Sequence, residues 1–292
     1  MKKRIPYLLR IIIGIIFIIS AFSKLFSIDT FEIYIFSFEL FGLGLSYLIA
    51  RLLITLELAM GLWLIINIDS KWAYYLTHFI LWGFTIFLSV LIIKGNEGNC
   101  NCFGEFINMN PSQSIIKNLI LIILLILSRK CYSFNIKFKP LYRIIIPVLA
   151  LSTVFILSPP DSWRYEYYSK DTSINAKAFE DAFKNDILKQ EIKEGEKVVC
   201  FYSLKCNFCK MSAQKIGTMR RMKTFSNAEI IVVFGGNPSD PSTFFEETKL
   251  DCKNYFFISP EDFLRITNGE MPLILVMKDG KIIQKFSYRD IR

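Results

Sequence analysis

Two pairs of closely spaced cysteines carry the chemistry open to this sequence. Cys206 and Cys209 stand in Lys205-Cys206-Asn207-Phe208-Cys209-Lys210, and Cys100 and Cys102 in Asn99-Cys100-Asn101-Cys102-Phe103-Gly104. Thiols two residues apart exchange readily with a third sulfur: one attacks as the thiolate and the other resolves the mixed disulfide. Thiols one residue apart can close a small, strained ring, and strain makes a disulfide easier to reduce. A structural disulfide pinning its loop is the competing reading of the Cys100/Cys102 pair. Cys131, Cys200 and Cys252 complete the seven cysteines. A zinc site needs more ligands than one Cys-x-x-Cys. There is no second such pair, and the single histidine, His78, lies in an apolar stretch, so no metal is expected.

Cys206 follows a β-branched and aromatic run, Lys197–Tyr202, that reads as a buried strand. A helical pattern follows to about Met222. Cys206 is therefore expected at a helix N-terminus, where unpaired N–H groups and the positive end of the dipole favour a thiolate. Cys209 would sit one turn in, placed to resolve. Lys205 and Lys210 read as solvated charges. Further strands are expected at Glu229–Phe234, Tyr255–Ile258, Met271–Val276 and Lys281–Tyr288, the last two joined by an Asp279-Gly280 hairpin turn. Helices are expected at Asn175–Gln190 and Pro241–Lys249. Cys200 falls in the core strand as a buried thiol; Cys252 is either free or paired with Cys200.

This arrangement, with a Met271-Pro272 step before a hairpin, resembles the thioredoxin fold over roughly Asp171–Arg292. The resemblance implies that Pro272 is a cis-proline beside the active pair, leaving a strand-like edge for substrate. One departure is plain: the chain stops soon after the last strand, so the closing helix is missing or very short. The exposed sheet face then needs another cover, for which the membrane domain is the candidate.

Hydrophobic residues form 52% of the 292-residue chain, and they crowd the part before Asp161. A bilayer core about 30 Å thick needs roughly 20 apolar residues per helix. Five spans are read: Ile5–Phe26, Leu43–Ile68, Trp72–Ile93, a short Pro111–Leu127, and Leu141–Ser158 with Pro147 as a potential kink. The first resembles a signal peptide, but its apolar run is long and more spans follow, so an uncleaved helix is expected. The net charge of +9 lies largely in short segments between spans (Lys2, Lys3, Arg4, Lys71, Arg129, Lys130, Lys137, Lys139, Arg143). That is a topology signal rather than a nucleic-acid stripe, and no nucleic-acid partner is expected. It places the N-terminus in the cytoplasm, leaving Lys24 and Lys94 as the chief basic residues outside. Both cysteine pairs then face the oxidising, extracytoplasmic side of a bacterial cytoplasmic membrane, and Cys131 the cytoplasm. The expected fold is an α-helical membrane bundle of about five spans with a four-helix core (residues 1–159), joined to an α/β thioredoxin-like domain (residues 160–292).

The Cys-x-Cys-Phe-Gly loop, with Ser23-Lys24 ending the first span and Glu57 followed by Gly61 in the second, resembles the MauE branch of DoxX-like membrane proteins over roughly Met1–Leu127. The resemblance implies a membrane protein linked to disulfide formation, often beside a thioredoxin-like partner. Independently of it, ionisable residues inside spans invite functional hypotheses. Arg51, Glu57 and His78 are candidate contacts for a membrane quinone, with Glu57 and His78 at matching depth as partners. A structural polar pair with a snorkelling Arg51 is the competing reading.

The expectation is therefore a membrane thiol–disulfide oxidoreductase. Electrons would pass from dithiols of exported proteins through Cys206/Cys209 to Cys100/Cys102 and on to quinone. An outward-directed reductant needs thiols that the cytoplasm can reach, and Cys131 alone lies there. A non-catalytic, membrane-anchored assembly factor or chaperone for thiol-containing clients is the alternative from another class, separable by whether client binding survives Cys206→Ser.

Overall fold

The computed structural model describes residues 4–67, 70–95, 100–129, 139–160, 179, 191–225 and 228–291. The expected helix at Asn175–Gln190 and Cys131 lie outside the described residues. By internal contacts the chain divides into two units, one of Met1–Ile35 and Leu45–Pro160, the other of Phe36–Gly44 and Asp161–Arg292.

The first unit is helical: α1 (Arg4–Phe26), α2 (Ile28–Phe36, which joins the second unit at its last residue), α3 (Leu43–Ile66), α4 (Ser70–Ile93), α5 (Pro111–Leu127) and α6 (Lys139–Leu157). Helices α1, α3, α4 and α6 are long and apolar enough to cross a membrane, and α5 is a shorter apolar helix. At 1.5 Å per residue, its 17 residues span about 25 Å. On α1, Ile5, Leu8, Ile12, Ile15 and Ile19 are exposed. Their alternating spacing of three and four makes one apolar stripe suited to lipid. Helix α5 begins at a capping box: Asn110 Oδ1 accepts from the Gln113 amide at 2.8 Å, and Gln113 Oε1 accepts from the Asn110 amide at 3.1 Å. It turns Pro111, Ser114, Asn118, Leu121, Ile122 and Leu125 inward.

Helices α1 and α3 approach at two glycines. A Cβ on Gly14 would lie 2.7 Å from the Gly61 carbonyl oxygen, and one on Gly61 would lie 2.7 Å from that of Gly14. Only glycine on both helices permits such backbone contact. Tyr7 Oη donates to the Ile65 carbonyl near one end. Lys24 meets Glu57 at the other, so the two helices run antiparallel.

Helix α2 lies in a stretch that the apolar pattern treats as a loop. It supplies Glu32, which forms a buried ion pair with Arg51 on α3.

The second unit has a thioredoxin-like fold. Its strands are β1 (Glu196–Tyr202), β2 (Glu229–Gly235), β3 (Asn254–Ile258), β4 (Leu273–Lys278) and β5 (Lys281–Phe286), in the order β3-β2-β1-β4-β5. β1–β2 and β2–β3 are parallel; β1–β4 and β4–β5 are antiparallel. Helices α7 (Asn207–Arg221), α8 (Ser242–Thr248) and α9 (Pro260–Thr267) pack about the sheet. Tyr202 on one face meets Ser212 of α7 and the ring of Phe244 of α8. On the other face Val199, Phe201, Ile231, Val233, Leu273 and Leu275 pack with Phe263 and Ile266 of α9 and with Phe179 and Ile192. The unit covers this face with α9, for which the sequence gives no expectation, and with Phe179 and Ile192.

Candidate functional site: two thiol pairs

Strand β1 ends at Tyr202, and Ser203-Leu204-Lys205 turns the chain into α7, with Cys206 as its N-cap. Cys206 is extended (φ −84°, ψ 118°), and its Sγ accepts from the Cys209 amide at 3.4 Å. The two sulfurs occupy unlike places. Cys206 is partly exposed, whereas Cys209 is buried and its Sγ accepts from the Ser203 amide at 3.4 Å. Burial pushes the Cys209 thiol well above the ordinary range. An accessible attacking sulfur beside a buried resolving one is the geometry that thiol exchange uses.

The Met271–Pro272 peptide is cis. Phe208, Met271, Pro272 and Tyr288 line part of one cavity of about 490 Å³. The Phe208 and Tyr288 rings lie 5.5 Å apart. Beneath them Lys215, 1% exposed, donates to the Tyr288 carbonyl at 3.1 Å and sits 4.4 Å from its ring centre. Cys200 and Cys252 are both free thiols. Burial raises Cys200 to about 12 and Cys252 to about 11.

The second pair sits on the membrane bundle. Cys100 is buried and Cys102 partly exposed, with their sulfurs 2.7 Å apart. The Cys100 amide donates to the Met109 carbonyl, closing the loop at its base. Asn101 and Gly104 have positive φ, +50° and +57°. At Gly104 a Cβ would fall 2.2 Å from Ser27 Oγ and 2.7 Å from the Ser23 carbonyl oxygen. The glycine of Cys-x-Cys-Phe-Gly is thus the point where the loop backbone lies against the end of α1. Phe103 takes the Lys117 ammonium 4.9 Å above its ring.

The environment splits the pair. The Cys100 thiol is pushed up, first by its hydrogen bond to Cys102 and then by burial, with Ser114 Oγ 2.8 Å from its sulfur. Cys102 is lowered to about 6, first by the hydrogen bond from Cys100, with the Lys117 and Lys24 charges adding and burial opposing. Burial and then the charges of both sulfurs push the Tyr34 phenol of α2 up.

Lys24, expected as a basic residue in an outside segment, is instead 4% exposed. Its Nζ donates to Glu57 Oε1 and Oε2 (2.9 and 2.7 Å), to Ser20 Oγ (2.7 Å) and to the Cys102 carbonyl (2.6 Å). This corrects the expected Glu57–His78 partnership. The Glu57 carboxylate is taken by Lys24 and Ser20, while His78 stacks on Tyr74 with centroids 4.4 Å apart. Arg51 binds Glu32 and donates to the carbonyls of Tyr47, Ser158 and Pro159 at 3.0, 3.0 and 3.3 Å. Among the described residues, Arg51, Glu57 and His78 share no partner, and protein groups engage Arg51 and Glu57. The sequence signal that marks Lys24, Lys117 and Glu32 is charge inside or beside an apolar run.

The chain is similar to one protein family, one curated relative and one solved structure. Residues 2–129 match the family described as Methylamine utilisation protein MauE. Protein TlpB of Flavobacterium psychrophilum is 30% identical over 299 residues, covering 84% of this chain and 80% of that protein. A solution structure of apo Sco1 protein from Thermus thermophilus overlaps 35% of this chain and 74% of its own, at 14% identity and a TM-score of 0.26.

Proposed function

The chain belongs to the family of Protein TlpB and carries a MauE-type membrane domain, and from that footing we propose that it is a membrane thiol–disulfide oxidoreductase that oxidises dithiols of exported proteins. The observation that carries the reading is the matched asymmetry of the two pairs. Each has one accessible and one buried sulfur, Cys206 over Cys209 and Cys102 over Cys100. In the first exchange a client dithiol reduces the Cys206–Cys209 disulfide and becomes a disulfide itself. In the second, the Cys206/Cys209 dithiol reduces a Cys100–Cys102 disulfide. Two electrons and two protons then leave the Cys100/Cys102 dithiol for an acceptor in the bilayer. A quinone is the lipid-soluble acceptor of matching stoichiometry, becoming quinol. The reading places both pairs on the extracytoplasmic side of a bacterial cytoplasmic membrane.

The cavity beside Pro272 supports client binding. Its Phe208 and Tyr288 rings offer apolar contact, and Phe208 is two positions from Cys206 in the sequence. The test is anaerobic. Purified, pre-reduced protein in detergent is mixed with a soluble quinone analogue and quinol is followed optically. Two quinols per protein, one from each dithiol pair, above a Cys100→Ser control is the expected result. No quinol with all thiols intact overturns the oxidase direction.

A further inference from the structure

Lys24 is a buried charge that the two exchanges do not use. A lysine inside a membrane bundle is expensive unless paired, and Glu57 answers that need. Pairing alone would leave the redox loop untouched, yet the ammonium's shortest contact, 2.6 Å, goes to the Cys102 carbonyl. Ser20 Oγ bridges the same groups, 2.8 Å from that carbonyl and 3.1 Å from Glu57 Oε2. The α1–α3 crossing at Gly14 and Gly61 sets Lys24 against Glu57, and Gly104 seats the loop on α1.

We propose that Lys24 is a positioning residue for Cys102: it ties the Cys102 backbone to α1 and α3 and keeps a positive charge beside the sulfur that enters the mixed disulfide. The inference rests on the proposed exchange between the pairs. In that exchange the Cys206 thiolate attacks Cys102 Sγ. The Cys100–Cys102 bond breaks, and Cys100 leaves with the electron pair and takes a proton, with Ser114 Oγ 2.8 Å from its sulfur. The Cys209 thiolate then attacks Cys206 Sγ. Cys206–Cys209 becomes the disulfide, and Cys102 departs as a thiolate whose charge Lys24 and Lys117 offset. Among the described residues, the charged and titratable groups around Cys102 include Lys24 on α1 with its partner Glu57 on α3, Tyr34 on α2, Lys117 on α5, and Cys100 in the loop.

The measurement is the pH dependence of iodoacetamide alkylation at Cys102, read by peptide mass spectrometry on the full chain in detergent, in a Cys100→Ser background. Lys24→Met should raise the midpoint by about one unit, making alkylation at pH 5 about tenfold slower. Glu57→Gln, which leaves Lys24 uncompensated, should lower the midpoint and speed alkylation at that pH. The double variant Lys24→Met/Glu57→Gln, with no buried unpaired charge to prevent folding, should remain slower than the Lys24 parent. Loosening of the loop would move Lys24→Met and Glu57→Gln in the same direction, and that result, or no movement in either, overturns the proposal. Failure of the exchange reading has a separate signature: the opposite shifts are seen, but no Cys102–Cys206 adduct forms when Cys100 and Cys209 are both serine.

Discussion

At the scale of single residues, exposure and charge divide the labour among the thiols. Cys206 is accessible at the N-cap of α7, and Cys209 is sealed behind it. Cys206→Ser should abolish client oxidation. Cys209→Ser should instead trap the mixed disulfide formed when the Cys206 thiolate attacks a client disulfide, the reverse of the oxidising step, visible as reducible high-mass bands on a non-reducing gel. A second outcome follows from the lowered Cys102 and the raised Cys200 and Cys252. The thiolate alone reacts, so alkylation at Cys102 should rise with pH through about 6 and level off near neutrality. Cys200 and Cys252 should stay unmodified at pH 7 and react only in alkali. Equal labelling of all three at pH 7 would refute the environments described. The thiol pairs themselves are legible in the sequence because their spacing is local. The Lys24 contact to Cys102 is not, because 78 residues separate the partners and no local periodicity encodes which helices meet.

At the scale of elements, two close approaches decide where the second pair sits. Gly104→Ala combines a left-handed φ with a Cβ driven into Ser27 and Ser23. Overpacking of this kind costs about 1–3 kcal/mol, and the loop should detach before the bundle melts. The readout is faster alkylation of Cys100 with little change in unfolding temperature. Helix α2 contributes through Glu32. Arg51 is 2% exposed and holds the carbonyls at the end of α6. Glu32→Ala therefore strands a buried cation, a change that costs about 3–5 kcal/mol in proteins. Thermal unfolding in detergent should show a large loss, and Arg51→Met/Glu32→Met should recover most of it. An unchanged melting temperature in Glu32→Ala would remove Arg51 from this structural role.

At the scale of the whole molecule, the proposed five crossings and cytoplasmic N-terminus would bring both pairs to one side of the membrane. A membrane-impermeant maleimide added to intact spheroplasts should label Cys102 and Cys206 alike, with Cys131 reached only after lysis. Labelling of one pair without the other would break the proposed relay. Composition already separates a membrane part from an aqueous part, since about 20 apolar residues in a row have no other economical solvent. The strand–Cys-x-x-Cys–helix order, likewise local, announces the thioredoxin-like sheet around Cys206. Other features belong to the tertiary structure alone. The cover that α9 and Phe179 supply to the second sheet face, the Lys24–Glu57 pair in place of Glu57–His78, and the engagement of Arg51 by Glu32 all join residues distant in sequence. Packing chose these partners: a buried charge takes whatever counter-charge the helix crossings bring within reach, and two glycines, Gly14 and Gly61, set one such crossing.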